Sequence, residues 1–209
     1  MLTAKHGTDN WRHGERGRVD ETVIEQGFEQ RERRRVMKTN IFASGVLVGM
    51  ATIAAATSSA SAAEPQAVAT YRDWSVFVRE VDGEKICFAA TEAKDKSPTS
   101  VRHGNIFFLV ASWASGAASN QPSLMTGYNL SDDRAPTVRI GSDKWEMFAA
   151  DNEAFIESNS KEKALIAAMR RGADMRISAL SSRGTATNYL ISLRGLTKAL
   201  ERAGEACQS

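Results

Sequence analysis

Cys87 and Cys207 are the only cysteines of the 209-residue chain, and thiols offer three chemistries: a disulfide, a metal ligand or a nucleophile. A zinc site or an activated thiol needs Cys or His partners at short spacing, which neither cysteine has. In an oxidising compartment the two are expected to pair. The bond would close a loop of about 120 residues and, on a chain-entropy account, restrict the unfolded state by roughly 4–5 kcal/mol. A reactive thiol or a metal ligand remains the alternative. His103, the sole histidine downstream of Ala62, could serve as a base. No Gly-x-Ser-x-Gly elbow accompanies it, and between Arg102 and Gly104 it reads as a solvated turn residue. With one histidine and no acidic loop of EF-hand spacing, no metal and no cofactor is expected. Asp132-Asp133-Arg134 supplies two neighbouring carboxylates, short of the six to eight oxygens that calcium takes.

Two further groups could meet a ligand. Arg183-Gly184-Thr185 lies between two apolar runs, where glycine permits a positive-φ turn and Arg183 and Thr185 carry donors; ordinary turn chemistry is the plainer reading. Trp74, Trp113 and Trp145, with Phe107, Phe108 and Phe148, could form a carbohydrate platform, although aromatic residues in strands usually face a core. Trp113, beside the small and polar stretch 114–120, is the best exposed candidate. Trp113, Arg183 and Thr185 are therefore the candidate partner surface, and no catalytic residue is nominated.

The elements that would carry these residues are mostly short strands. Trp74 to Arg79 and Ile86 to Ala90 flank Asp82-Gly83, a pair suited to a type I′ hairpin turn. Asn105 to Trp113 is nearly continuous in apolar residues and reads as a central strand buried on both faces. Pro122 should halt a ladder before a strand in Leu124 to Leu130. Thr137 to Gly141, Lys144 to Ala149 and Glu153 to Ile156 are further strands. A helix from Ser160 to about Arg171 is expected, capped by Asn159 with Glu162 completing a capping box and Gly172 as exit. Met175 to Leu180 and Thr187 to Leu193 form another strand pair, and Leu196 to Ala206 a last amphipathic helix fastened by Cys207. Many short strands point to a sandwich or a barrel.

Location is written upstream. Met37-Lys38-Thr39-Asn40, the apolar run Ile41 to Ala56 and the small-residue exit Ala60-Ser61-Ala62 together read as a secretion signal over residues 37–62, with cleavage between Ala62 and Ala63. The run falls short of the ~20 apolar residues of a spanning helix, and a retained anchor is the alternative. Residues 1–36 fit no part of a signal. They read as an untranslated extension with synthesis beginning at Met37, or else as a long charged n-region or a disordered basic arm. Nine of the 27 Lys and Arg and seven of the 25 Asp and Glu lie upstream of Ala63, so residues 63–209 carry 18 of each. That neutral, interspersed balance excludes the basic stripe of a nucleic-acid binder. The 147 residues suit one domain, with no membrane span in the processed form.

The order of features resembles the invasion-associated locus B family of secreted alphaproteobacterial proteins. The residues that carry the likeness begin with Tyr71-Arg72-Asp73-Trp74-Ser75-Val76, Cys87-Phe88-Ala89, and Ile106-Phe107-Phe108-Leu109 with Trp113. They continue through Gly127-Tyr128, Ile140-Gly141, the helix Ala164 to Gly172, Met175 to Thr185, Tyr189 to Gly195 and Ala199-Leu200. Many relatives carry a further cysteine where this chain has Val76-Phe77-Val78, so at most one disulfide is expected here. The resemblance implies an immunoglobulin-like antiparallel β-sandwich with one or two short helices, periplasmic or secreted, and implies no enzyme. Some members are linked with host-cell invasion. The expectation is a non-enzymatic binder of an envelope or host protein or a glycan. An envelope structural or stress accessory is the alternative, and an envelope hydrolase the third reading.

Overall fold

The computed structural model describes residues 64–209; the secretion signal at 37–62, its cleavage point at Ala62 and Ala63, and the upstream extension 1–36 lie outside them. Eleven strands form one continuous antiparallel path: β1 (Gln66–Tyr71), β2 (Trp74–Val81), β3 (Glu84–Glu92), β4 (Asp95–Ser97), β5 (Phe107–Trp113), β6 (Gln121–Met125), β7 (Thr137–Ile140), β8 (Asp143–Ala150), β9 (Glu153–Ile156), β10 (Asp174–Leu180) and β11 (Ala186–Ser192). Two helices complete the domain, α1 (Asn159–Arg171) and α2 (Leu196–Gln208). The pairing order β1-β2-β3-β5-β6-β9-β8-β7-β10-β11-β4 folds into two layers because two strands turn a corner. The first half of β8 pairs with β7, whereas Met147 to Ala150 pair with β9. At the other corner β3 runs through Ala93 and Lys94 into β4, with the Lys94 N–H donating to the Leu190 carbonyl. Strands that pass between sheets are how sandwich corners are made. The mainly antiparallel two-layer β architecture with two helices is the expected one.

Between the layers lies one apolar core, in which Trp74, Val76, Ala89, Phe108, Val110 and Leu124 meet Val138, Ile177 and Ile191 from the facing strands. The alternate residues of β2, β3 and β5, including Phe77, Phe88, Leu109 and Trp113, form a second buried cluster on the other face. β5 is thus buried on both faces, as its unbroken apolar run requires. The β2–β3 hairpin turns at Asp82 and Gly83 with φ of 51° and 81°, as a type I′ turn demands.

Several boundaries differ from expectation, each for a physical reason. Pro122 lies inside β6, opposite Val110; pairing with β9 begins only at Ser123, so the proline sits where β6 has a neighbour on one side. β6 ends at Met125 rather than reaching Leu130, because Gly127 crosses the chain at Gly104, where a Cβ on Gly127 would come within 2.9 Å of the Gly104 Cα. The N-cap of α1 is Ser158, one residue early, and its side chain makes no capping bond, so the expected box of Asn159 with Glu162 does not form. Gly172 does follow the helix, but in extended conformation; a Cβ there would meet Ile140 and Leu193 at 2.8 and 2.9 Å, so close approach rather than positive φ requires the glycine. The edge strands β1 and β4 had no sequence signal: β4 is only three residues long, and β1 is largely exposed.

Candidate functional site

Cys87 of β3 and Cys207 of α2 are joined by a disulfide with Cα atoms 5.6 Å apart. The bond holds α2 against β1, β2, β3 and β5, with Leu196, Ala199, Leu200, Ala203 and Ala206 as its buried stripe. Gly195 opens the helix at φ 100°, and a Cβ there would stand 1.9 Å from the Tyr71 carbonyl oxygen, so no other residue fits.

Trp113, expected to be exposed, is only 3 % exposed: it ends β5, pairs with Ile86 and packs into the second apolar cluster. Arg183 is exposed and Thr185 half-buried on the β10–β11 turn. That turn is closed by the Ser181 N–H to the Thr185 carbonyl, the Gly184 N–H to the Ser181 carbonyl, and the Thr185 N–H to Ser181 Oγ. It docks on the segment after β6 through the Ser182 N–H and the Asn129 carbonyl. Trp113 lies at the opposite end of β5 from that segment, about 20 Å away at the rise of a strand, so the structure does not gather the three residues into one surface.

His103 is buried, not solvated. Its Nε2 lies 2.8 Å from the Pro98 carbonyl and its Nδ1 3.1 Å from Tyr189 Oη. A carbonyl only accepts, so Nε2–H donates to Pro98, and in the neutral ring Nδ1 takes the Tyr189 hydroxyl hydrogen. Tyr189 Oη is in turn 2.7 Å from Tyr128 Oη, which is 2.7 Å from Thr187 Oγ1. Burial pushes the Tyr189 hydroxyl far above the ordinary tyrosine range; Thr187 opposes this and Tyr128 adds to it. This chain of hydroxyls and imidazole ties the loop 98–105 to β11 and to Tyr128. Both nitrogens of His103 are spent on internal partners.

A second polar site surrounds Asp73, between β1 and β2. Its Oδ2 accepts from Ser192 Oγ at 2.6 Å and pairs with Lys94 Nζ at 3.1 Å, while its carbonyl accepts from Thr91 Oγ1 and its N–H donates to the Arg194 carbonyl. Burial alone would raise the Asp73 pKa, but Ser192, Lys94 and Arg194 outweigh it and hold the carboxyl below its ordinary 3.8. Beside it Trp74 Nε1–H donates to the Ser192 carbonyl at 2.9 Å. Asp73, Thr91, Lys94 and Arg194 border a cleft of about 770 Å³ with Arg72 and Glu92. The contribution of Lys94 and Ser192 had no sequence signal, since they reach Asp73 only through the β3 corner and β11. Another cleft, of about 700 Å³, opens between the end of α1 and strands β7 and β10, with Arg139, Arg171, Arg176, Asp143 and Asp174 on its walls.

Among the described residues no three His, Cys, Asp or Glu side chains are grouped to hold a metal ion, and no helix is long and apolar enough to cross a membrane. The matched part of the chain runs from Trp74 to Gly204, where the profile of the Invasion associated locus B (IalB) protein family aligns over residues 74–204. The chain belongs to the IalB family. The family match therefore starts at the tryptophan that clamps β11 and takes in β2 through most of α2, including Cys87 but not Cys207. No curated protein and no solved structure matches the chain.

Proposed function

We propose that this IalB-family chain is exported to the periplasm or beyond and acts there by binding, not by catalysis, on a protein or glycan of the cell envelope or of a host surface. The observation that carries the reading is the Cys87–Cys207 bond, which fits a protein matured in an oxidising compartment. The secretion-signal pattern of residues 37–62 agrees with it. The binding part is supported by a double-layered β scaffold that presents two polar clefts, while His103, the one histidine among the described residues, is committed internally.

Two measurements test it. Intact mass and N-terminal sequencing of the protein recovered from periplasm and culture medium should give a start at Ala63 and a mass two hydrogen atoms below the dithiol form. A chain with free thiols retained in the cytosol would refute export. Sedimentation of that exported protein with washed envelope fragments should be saturable; proportional, unsaturable carry-down would refute specific binding.

A further inference from the structure

The β7–β8–β10 surface places positive charges side by side. In the antiparallel pairing Arg139 of β7 stands directly opposite Arg176 of β10 on one side and Lys144 of β8 on the other. Like charges in directly opposed positions destabilise a ladder. Lys144 is offset by Glu146 at 3.3 Å, whereas among the described residues Arg139 and Arg176 make neither an ion pair nor a side-chain hydrogen bond. Arg171, in the last turn of α1, comes to the same cleft and is likewise without a carboxylate partner. The helix end is pressed there because Gly172 abuts Ile140 and Leu193 with no room for a Cβ. Three guanidinium groups thus border a cleft of about 700 Å³, a volume usual for a small-ligand site, and none of them has a carboxylate in direct ion-pair contact among the described residues.

We infer that this cleft is a binding site for an acidic saccharide. The forked N–H groups of Arg139 and Arg176 suit the two oxygens of a carboxylate or sulfate, and Arg171 supplies a third donor group. Asp143 and Asp174, on the same walls, choose among anions: they repel a dense polyphosphate but accept hydrogen bonds from sugar hydroxyls. A ligand carrying one oxyanion and several hydroxyls meets both sets of groups. This deepens the binding reading above and rests on it.

The test is titration calorimetry on the exported, disulfide-bonded protein with tetragalacturonate, and with the neutral maltotetraose as control. Tetragalacturonate should bind and maltotetraose should not. Arg139→Gln and Arg176→Gln should each weaken binding about tenfold, whereas Lys198→Gln, on the exposed side of α2 and outside the cleft, should leave it unchanged. Both arginine variants should melt at or above the wild-type temperature in anion-free buffer, because each removes a repulsion; this shows that lost binding is not lost folding. Absence of tetragalacturonate binding, equal binding of maltotetraose, or binding unaffected by Arg139→Gln with Arg176→Gln would each overturn the inference. Saturable envelope binding that persists in such a case would leave the broader reading standing and remove this cleft from it.

Discussion

At the scale of single residues, the buried polar groups are placed so that each removal leaves a partner stranded. Tyr189→Phe takes one hydroxyl from between His103 Nδ1 and Tyr128 Oη. A buried polar atom left unsatisfied costs about 1–3 kcal/mol, so the variant should lower the unfolding free energy by that amount, read as a lower denaturant midpoint with an unchanged slope. An unchanged midpoint would show that water replaces the hydroxyl. Asp73 makes a prediction in pH. Its carboxyl is held below 3.8 in the folded state, so it contributes stability above the unfolded value that is lost as pH falls through the folded one. The melting temperature should drop below pH ~4 in the wild type, and this part of the drop should be missing in Asp73→Asn. Neither site was legible in the sequence. His103 and Tyr189 are 86 positions apart and Asp73 and Ser192 are 119 apart, so their meeting is a consequence of topology. The same distance misplaced His103 as a turn residue and hid the arginine cleft: charges that alternate evenly along the chain converge when β7, β10 and the end of α1 come together.

At the scale of elements, what could be read was local. Asp82-Gly83 encodes its own turn, β5 its own burial, and the Leu196, Ala199, Leu200, Ala203 stripe its own helix, and all three stand where expected. What escaped were features set by neighbours: a proline tolerated because pairing with β9 starts one residue later, a strand cut short at the Gly104–Gly127 crossing, and two edge strands, β4 too short to show a period and β1 with no buried residue to mark a face. Gly195 joins both kinds. It lies just before the last helix, and its necessity comes from Tyr71, whose carbonyl oxygen would be 1.9 Å from any Cβ. Gly195→Ala should cost about 3 kcal/mol or more, from positive-φ strain together with displacement of β1 from α2. A loss of unfolding free energy under about 1 kcal/mol in chemical unfolding would mean that β1 yields freely.

At the scale of the whole molecule, the disulfide connects the two ends of the folding problem. Cys87 sits in the centre of the first layer, and Cys207 ends a helix that packs on the same strands, across 120 positions of sequence. Within that span the chain completes every strand from β4 onward and both corners. The bond therefore limits the unfolded ensemble as a whole, by roughly 4–5 kcal/mol on the chain-entropy account, and in the folded state it backs the small-residue stripe of α2, whose alanines bury little area each. Paired replacement Cys87→Ala with Cys207→Ala should lower stability by about that amount, against a cavity contribution that is small because alanine retains the Cβ. Amide exchange separates the two ways the loss could appear. If the bond acts only on the unfolded chain, protection falls evenly across β2, β3, β5 and β10. If it also retains the helix, α2 exchanges first, at a free energy below that of global opening, while β10 and β11 keep their protection relative to the rest. The second pattern is the expected one: beyond Leu200 the helix meets the sheet only through Ala203 and Ala206 and holds no second covalent tie, so without the bond its C-terminal half should open before the sheet does.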